Sequence, residues 1–456
     1  MSYDVVVIGA GAAGEAAASL SARMGDSVAV VEQDLLGGLC AFWACMPSKS
    51  LLDSANRRAK GREYPWSRAS DRRDWMISRE GIDYPDDSGH ASSLEKDGAE
   101  VVRGTARIMG PGKVEVRSDG SPPRQLETRN LILSVGSRPV IPSASIEGLA
   151  EAGYWTSNEG TALRELPSSI LVLGGGAVGV ELAQVYARFG IPTTLVQGTD
   201  RILPRDHPRS SEVLAAQLEE EGVDIRTGVT ATSVRAGGSG RLVELNDGTS
   251  LDVAQIMIAV GRRPADLREL GAEEAGARLN ERGAATPDPA MRVGEGLFVA
   301  GDCAGGAQFT HVADYEGRIA ARNAHGQDVR ADLSAVPRTT FTDPETAAVG
   351  MNLQEAWENG MDAFEVTQDF AQTARGQTLE GSRGHITAVI DRERETLVGA
   401  FAACPGASEL IHEAVLAIKL RVPIPVLADT IHAFPTGARV LGNVLAEGRD
   451  RLASRL

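Results

Sequence analysis

Two copies of one glycine pattern constrain this chain more than any other feature. Residues 3–8, YDVVVI, are a short apolar run with β-branched residues, followed by Gly9-Ala-Gly11-Ala-Ala-Gly14 and an alanine-rich helix. Residues 27–31, SVAVV, form the next strand, which ends in Glu32. This strand–turn–helix–strand setting is where a GxGxxG loop holds a dinucleotide. The glycines permit a tight turn and close approach to a pyrophosphate, the helix N-terminus supplies amide donors and positive dipole, and Glu32 can accept from ribose hydroxyls. The pattern returns at 170–174, ILVLG, which opens Gly174-Gly-Gly176-Ala-Val-Gly179-Val-Glu181, and the strand TTLVQ then ends at Gln197. The repeat implies two nucleotides held by one chain. Gln197 stands where an NAD site usually has an acid and an NADP site often has Arg. Its amide can bond a ribose hydroxyl but lacks the charge to repel a phosphate, so the cofactor preference stays open.

A chain of 456 residues holds two or three domains. Residues 60–98 are polar and little periodic, read as loop with one or two short surface helices. Strand character returns over 99–117 and at 131–136, LILSVG, where the first unit is left at Gly136. The second unit closes with IMIAVGRRP at 256–264. Residues 297–302, LFVAGD, end in Asp302 and lead to Thr310-His311 and a helix to about His325. An acid at a strand end can bind a sugar or ribitol hydroxyl, or cap a helix. From Asp332 onward, strands such as GHITAVI and LVGAFAA precede the helix SELIHEAVLAIKL, giving α+β character and a third domain.

Two of the four cysteines, Cys40 and Cys45, stand in GGLCAFWACMPSKS at 37–50. Such a pair is a metal half-site, a redox pair or coincidence. A metal site needs a second ligand pair, and Cys303 and Cys404 are isolated singles. Redox pairing is favoured, with two reduced cysteines that merely pack as the alternative. Positions five apart sit on different faces of a regular helix, so a bonded pair requires an irregular backbone over 40–44. Pro47 places a helix start near Cys45, running to about Arg58. Cys45 and Lys49 then share a face, and a thiol near a helix N-terminus and a lysine favours thiolate.

The net charge of −16 argues against nucleic acid or an anionic membrane surface as partner. No apolar run approaches membrane-spanning length, and the N-terminus enters a strand pattern with no signal-peptide layout. A cytoplasmic protein is expected. The terminal Ser454-Arg455-Leu456 looks like a peroxisomal address variant, a match too short to weigh.

With both fingerprints, the CxxxxC–P-S-K stretch, LFVAGD, and FTDPETAAVG at 341–350, the chain resembles the flavoprotein disulfide reductases, the family of dihydrolipoamide dehydrogenase, glutathione reductase and mercuric reductase. The resemblance implies an α/β fold with two Rossmann-like dinucleotide-binding domains, for FAD and NAD(P), plus a C-terminal α+β dimerisation domain. The expected segments are 1–148 and 266–332 for FAD, 149–265 for NAD(P) and 333–456 for the interface. Hydride would pass from NAD(P)H to the flavin and then to a Cys40–Cys45 disulfide, with Cys40 the interchange thiol and Cys45 against the flavin. Lys49 would pair with Glu181 beside the flavin, and Asp302 would bind the ribitol. FAD would further meet Gly9, Gly11, Gly14, Glu32, Gly38, Gly136, Arg262, Thr310 and His311. NAD(P) would meet Gly174, Gly176, Gly179, Glu181, Gln197 and Gly261. No resident metal is expected. A homodimer would form through the C-terminal domain.

One departure matters. Near the C-terminus the family carries a His-Pro-Thr with a Glu four residues after the proline, the acid/base dyad for thiol exchange. In IHAFPTGARVL, 431–441, Phe434 takes the His position and Arg439 the Glu position, with His432 two residues earlier. On a strand His432 could face the same side as Phe434. Phe434, His432 and Arg439 are thus candidate acceptor-site residues. A mercuric reductase would carry a C-terminal cysteine pair, and ASRL has none. Two functions remain. One passes electrons through the sulfur pair to a small acceptor: a disulfide, a quinone or a metal ion. The other is a diaphorase or transhydrogenase in which the cysteines do not turn over.

Overall fold

The computed structural model describes residues 2–78, 85–238 and 240–454. They divide into two compact units, residues 1–50, 70–140 and 261–332 in the first, and 51–69, 141–260 and 333–456 in the second. The second nucleotide fold and the C-terminal region fall in one unit, which also takes in residues 51–69.

The first unit is organised on a sheet in the order Arg292–Gly294, Leu297–Val299, Arg124–Leu133, Ser2–Ile8, Val28–Glu32, Ala99–Arg103. The last five strands run parallel. Ser2–Ile8 is nearly continuous apolar sequence because both faces of the sheet are covered, one by helices and the other by the antiparallel strands over 105–117 and the 267–277 segment; Val5, Val6 and Val7 are fully buried. The ribbon Thr105–Gly110 and Lys113–Arg117 adds antiparallel strands to Arg124–Leu133. Helix Ala12–Arg23 packs on helix Thr310–Ala324 through small residues. A Cβ at Gly317 would collide with the backbone of Ala13, so the contact depends on that glycine.

The second unit holds a four-stranded parallel sheet, Val223–Thr227, Thr193–Gln197, Ile170–Leu173 and Gln255–Ile258 in spatial order. Its C-terminal region is a five-stranded antiparallel sheet, Arg338–Thr340, Thr346–Gly350, Thr396–Ala403, His385–Asp391, Ala363–Asp369. Helices Ala407–Leu420 and Gly437–Ala453 close its core around Phe370, Ile390, Ile411 and Val444. The FTDPETAAVG motif fastens this region to the nucleotide fold. Glu181 accepts from the amide of Phe341 at 2.9 Å, and Gln184 bonds both the amide and the carbonyl of Asp343, at 2.8 and 2.9 Å.

The 60–98 stretch corrects the sequence expectation. It holds two helices, Trp66–Ser78 and Ser88–Asp97, longer than the short ones expected, and the first buries one face while exposing the other. Arg73 is fully buried on it, paired with Asp74 at 2.7 Å. A buried arginine interrupts the apolar period by which such a helix is recognised. Residues 79–84 of that stretch, and Arg455 and Leu456 of the address-like tail, lie outside the described residues. Among the described residues no helix is long and apolar enough to cross a membrane.

Candidate active site

The two fingerprint loops are geometric copies. Gly9 and Gly174 take φ of +93° and +111°, and a Cβ on Gly14 or Gly179 would land on the carbonyl oxygen of Gly9 or Gly174. Only glycine allows the helix to start that close to the strand. At Gly11 and Gly176 the position of a Cβ faces open space, the room a pyrophosphate needs at the helix N-terminus. The strand-end residues also match. Glu32 Oε2 accepts from the amide of Ala10 at 2.7 Å, and Gln197 Oε1 accepts from the amide of Gly175 at 2.7 Å. The loops therefore fit two dinucleotides and differ in the charge of that residue.

The cysteine segment is built onto the first loop. The amide of Gly37 donates to the carbonyl of Ala10 at 2.7 Å, and Gly38 lies against Gly11. A five-residue helix, Gly38–Phe42, carries Cys40 and ends at Trp43; the helix Cys45–Ala59 then begins. The interruption at 43–44 is the irregularity expected between two sulfurs able to meet, and the helix start at Cys45 is as read from Pro47. Burial and the neighbouring Cys45 act on Cys40: the hydrogen bond to Cys45 first, then desolvation, push its thiol well above the ordinary range. Cys45 Sγ lies 3.3 Å from Thr310 Oγ1, at the first residue of helix Thr310–Ala324. Two helix N-termini thus converge on the Cys45 sulfur, an arrangement that favours negative charge there. Cys303 and Cys404 contrast with this pair. Both are buried, and desolvation pushes each thiol up to about 12, so they are inert core residues.

Asp302 opens a 3-10 turn whose N-cap is Gly301, so its carboxylate does not cap a helix; Ser137 Oγ donates to it at 2.5 Å. Arg262 donates to the same Ser137 at its Oγ, 2.8 Å, and its carbonyl, 2.6 Å. Gly136 stands beside this chain at φ +71°. Lys49 Nζ is 3.3 Å from Ser48 Oγ. His311 is exposed and stacks on Phe309 at 5.3 Å. Gly261 belongs to the first unit, where its carbonyl accepts from Val140 at 2.9 Å.

The sequence reading missed three supports. His90 closes over Gly37 and bonds Glu15 at 2.7 Å, a contact that raises its pKa, while Asp87 accepts from the amide of Leu36 at 2.8 Å and pairs with Arg103. Both braces sit in the polar stretch that showed no period. Glu316, buried on the Thr310 helix, accepts from the amide of Gly301 at 2.8 Å, and desolvation pushes its carboxyl up to about 7.

The C-terminal candidates separate. Residues 430–433 form no strand, so the alternation expected of His432 and Phe434 does not apply. The His432 side chain is 5% exposed; it lies over Gly442 and bonds Glu413 Oε1 through Nε2 at 2.8 Å. Phe434 is 74% exposed. Phe434 and Arg439 line one cavity and His432 does not.

Comparison with known proteins agrees with this architecture. Residues 3–317 match the family described as pyridine nucleotide-disulphide oxidoreductase, and residues 336–444 match its dimerisation domain. A dihydrolipoyl dehydrogenase of Thermus scotoductus is 34% identical over 95% of each chain. A mercuric reductase of Staphylococcus aureus is 28% identical, over 96% of this chain and 81% of that one. Among solved structures, a Cu(II) complex of the HOCl-induced flavoprotein disulfide reductase RclA from Escherichia coli superposes with a TM-score of 0.85 at 26% identity, covering 98% of this chain and 99% of that one. The chain belongs to the pyridine nucleotide-disulphide oxidoreductases and is an NAD(P)H-dependent flavoprotein enzyme that uses FAD.

Proposed function

We propose that this enzyme draws electrons from NAD(P)H and delivers them through the Cys40–Cys45 pair to a small acceptor. FAD held at the first fingerprint loop would supply the hydride-to-electron-pair chemistry between the nicotinamide and the sulfur pair. Cys45 carries the charge of the reduced pair, stabilised by the two helix N-termini, while Cys40 keeps the proton and is the thiol that meets the acceptor. Asp302 orients the ribitol, held by Ser137 and Arg262. Lys49 follows Cys45 by one turn on the same helix, and Thr310 and His311 border the flavin. A homodimer through the C-terminal domain sets Phe434 opposite the partner's cysteines. The observation that carries this reading is the placement of Cys45 Sγ 3.3 Å from Thr310 Oγ1 with Cys40 beside it.

The acceptor side favours a metal ion or a quinone over a disulfide. A disulfide substrate requires proton transfer to its leaving thiolate, and removing a general acid typically costs about two to four powers of ten. The 430–439 loop offers no acid in its place: Phe434 is exposed and His432 is turned to Glu413. A mercuric reductase and a Cu(II) complex stand among the similar proteins. An acceptor panel of disulfides, quinones and divalent metal ions, run with NADH and NADPH, tests this; fastest turnover on a disulfide defeats it. The same Phe434 supports the second reading, a diaphorase in which the cysteines are silent. Turnover of every acceptor unchanged in a Cys40→Ser/Cys45→Ser double variant selects it.

A further inference from the structure

Beside the departed loop lies a cavity of about 590 Å3. Phe434 and Arg439 line it with Arg375, Gln368, Gln372 and Asn443. Arg439 makes no ion pair or side-chain hydrogen bond among the described residues; its amide is fixed by Thr436 Oγ1 at 3.1 Å. Arg375 has one long bond, Nη1 to Thr378 Oγ1 at 3.4 Å. The carboxylate in the wall, Asp369, accepts from the amide of Ala371 at 2.9 Å as the cap of a 3-10 turn. The cavity therefore presents two guanidinium groups against that one carboxylate, with three neutral amides beside an aromatic ring.

We propose that this cavity binds a small aromatic anion, a carboxylated or sulfonated arene. A guanidinium fork matches a carboxylate or sulfonate, and Phe434 offers a face for ring stacking. A neutral apolar ligand would strip water from Arg439 and Arg375 without replacing it. A cation fits worse: two arginines repel it, and no cluster of three metal-binding side chains occurs among the described residues. The protein carries −16 overall, so an anion needs such a locally positive recess to dock at all. If the cavity serves the partner's cysteines, a sulfonated or carboxylated quinone held there is also the electron acceptor, taking two electrons and two protons to the hydroquinone as the dithiol returns to the disulfide; that extension rests on the reading above, and the binding does not.

The test uses the FAD-loaded full chain, oxidised, titrated calorimetrically with naphthalene-2-sulfonate and with neutral 2-methylnaphthalene. The sulfonate should bind at least about tenfold tighter, the size of one charge-assisted hydrogen bond. Arg439→Gln should remove that advantage, Arg375→Gln should reduce it, and Arg439→Lys should keep part of it, with flavin content and circular dichroism unchanged. Sulfonate binding that is absent, or equal in wild type and both glutamine variants, overturns the proposal. A second arm measures KM for a sulfonated and a neutral naphthoquinone. A rise of about tenfold in Arg439→Gln for the sulfonated quinone alone supports the acceptor extension. Lost naphthalenesulfonate binding with unchanged KM sustains the site and ends the extension.

Discussion

On the proposed route the cysteine segment of the first unit and the 430–439 segment of the second are the two ends of electron transfer, and they are built differently. At the first, each part is held by another: Glu32 by Ala10, Gly37 by Ala10, Cys45 by Thr310, Leu36 by Asp87. At the second, Phe434 is largely exposed, Arg439 has no side-chain partner among the described residues, and the histidine is tucked away. The donor end must fit one invariant cofactor, so its geometry tolerates little. The acceptor end answers to whatever molecule arrives, so its residue types can change while the backbone stays.

The largest effect should come from breaking the donor end. Cys45→Ser is expected to lower turnover by about a thousandfold or more, since it removes a covalent route rather than a contact. Phe434→Ala should leave the flavin-to-sulfur step untouched; stopped-flow appearance of the long-wavelength charge-transfer absorption after mixing with NADH separates the two, and its loss in both variants would erase the contrast.

Rebuilding the acceptor end sharpens it. Phe434→His with Arg439→Glu restores the residue types of the family dyad and should raise disulfide turnover by about ten- to a hundredfold, a fraction of what general acid–base catalysis supplies. No gain would mean that the loop backbone, rather than its side chains, excludes a disulfide.

A smaller effect concerns the two nucleotide loops. Gln197→Glu adds the charge that Glu32 has and should shift kcat/KM toward NADH over NADPH by roughly tenfold, through repulsion of the ribose phosphate. An unchanged ratio would place the discrimination elsewhere.

The smallest effect is on stability, and its sign differs between the units. His90 gains Glu15, which raises its pKa, so its contribution is present below the unfolded value near 6.5 and fades as pH rises through the folded one. His385, buried between Ser210 and Thr387 with its pKa lowered to about 3 by desolvation, behaves in reverse. It remains neutral in the fold while the unfolded chain takes a proton, so stability falls as pH drops from about 6.5 toward 3. Melting of the holoenzyme between pH 5 and 8 should show His385→Gln flattening the acid slope, and His90→Gln, which lacks the acid-side stabilisation, losing stability toward acid more steeply than wild type. Parallel pH curves for both variants and wild type would refute the assignment.

Much of the donor end was legible because its chemistry is local. The fingerprints, the Pro47 helix start and the break between Cys40 and Cys45 each follow from spacing within a few residues. The braces at Asp87 and His90 were not legible, since they act across some fifty residues of chain and sit on a helix without an apolar stripe. At the acceptor end the substitutions themselves were plain in the sequence. Where they point was not: strand alternation put His432 with Phe434, but the segment is irregular and His432 packs inward on Gly442. The Arg375–Arg439 cavity joins positions far apart in sequence and had no local signal.

The most direct test is anaerobic titration of the FAD-loaded protein with one equivalent of NADH, followed by visible absorption. Wild type and Cys40→Ser should develop a long-wavelength thiolate–flavin charge-transfer band, and Cys45→Ser should show only bleaching of the flavin. A wild-type spectrum without that band, or one that Cys45→Ser reproduces, would contradict electron exit through the sulfur pair.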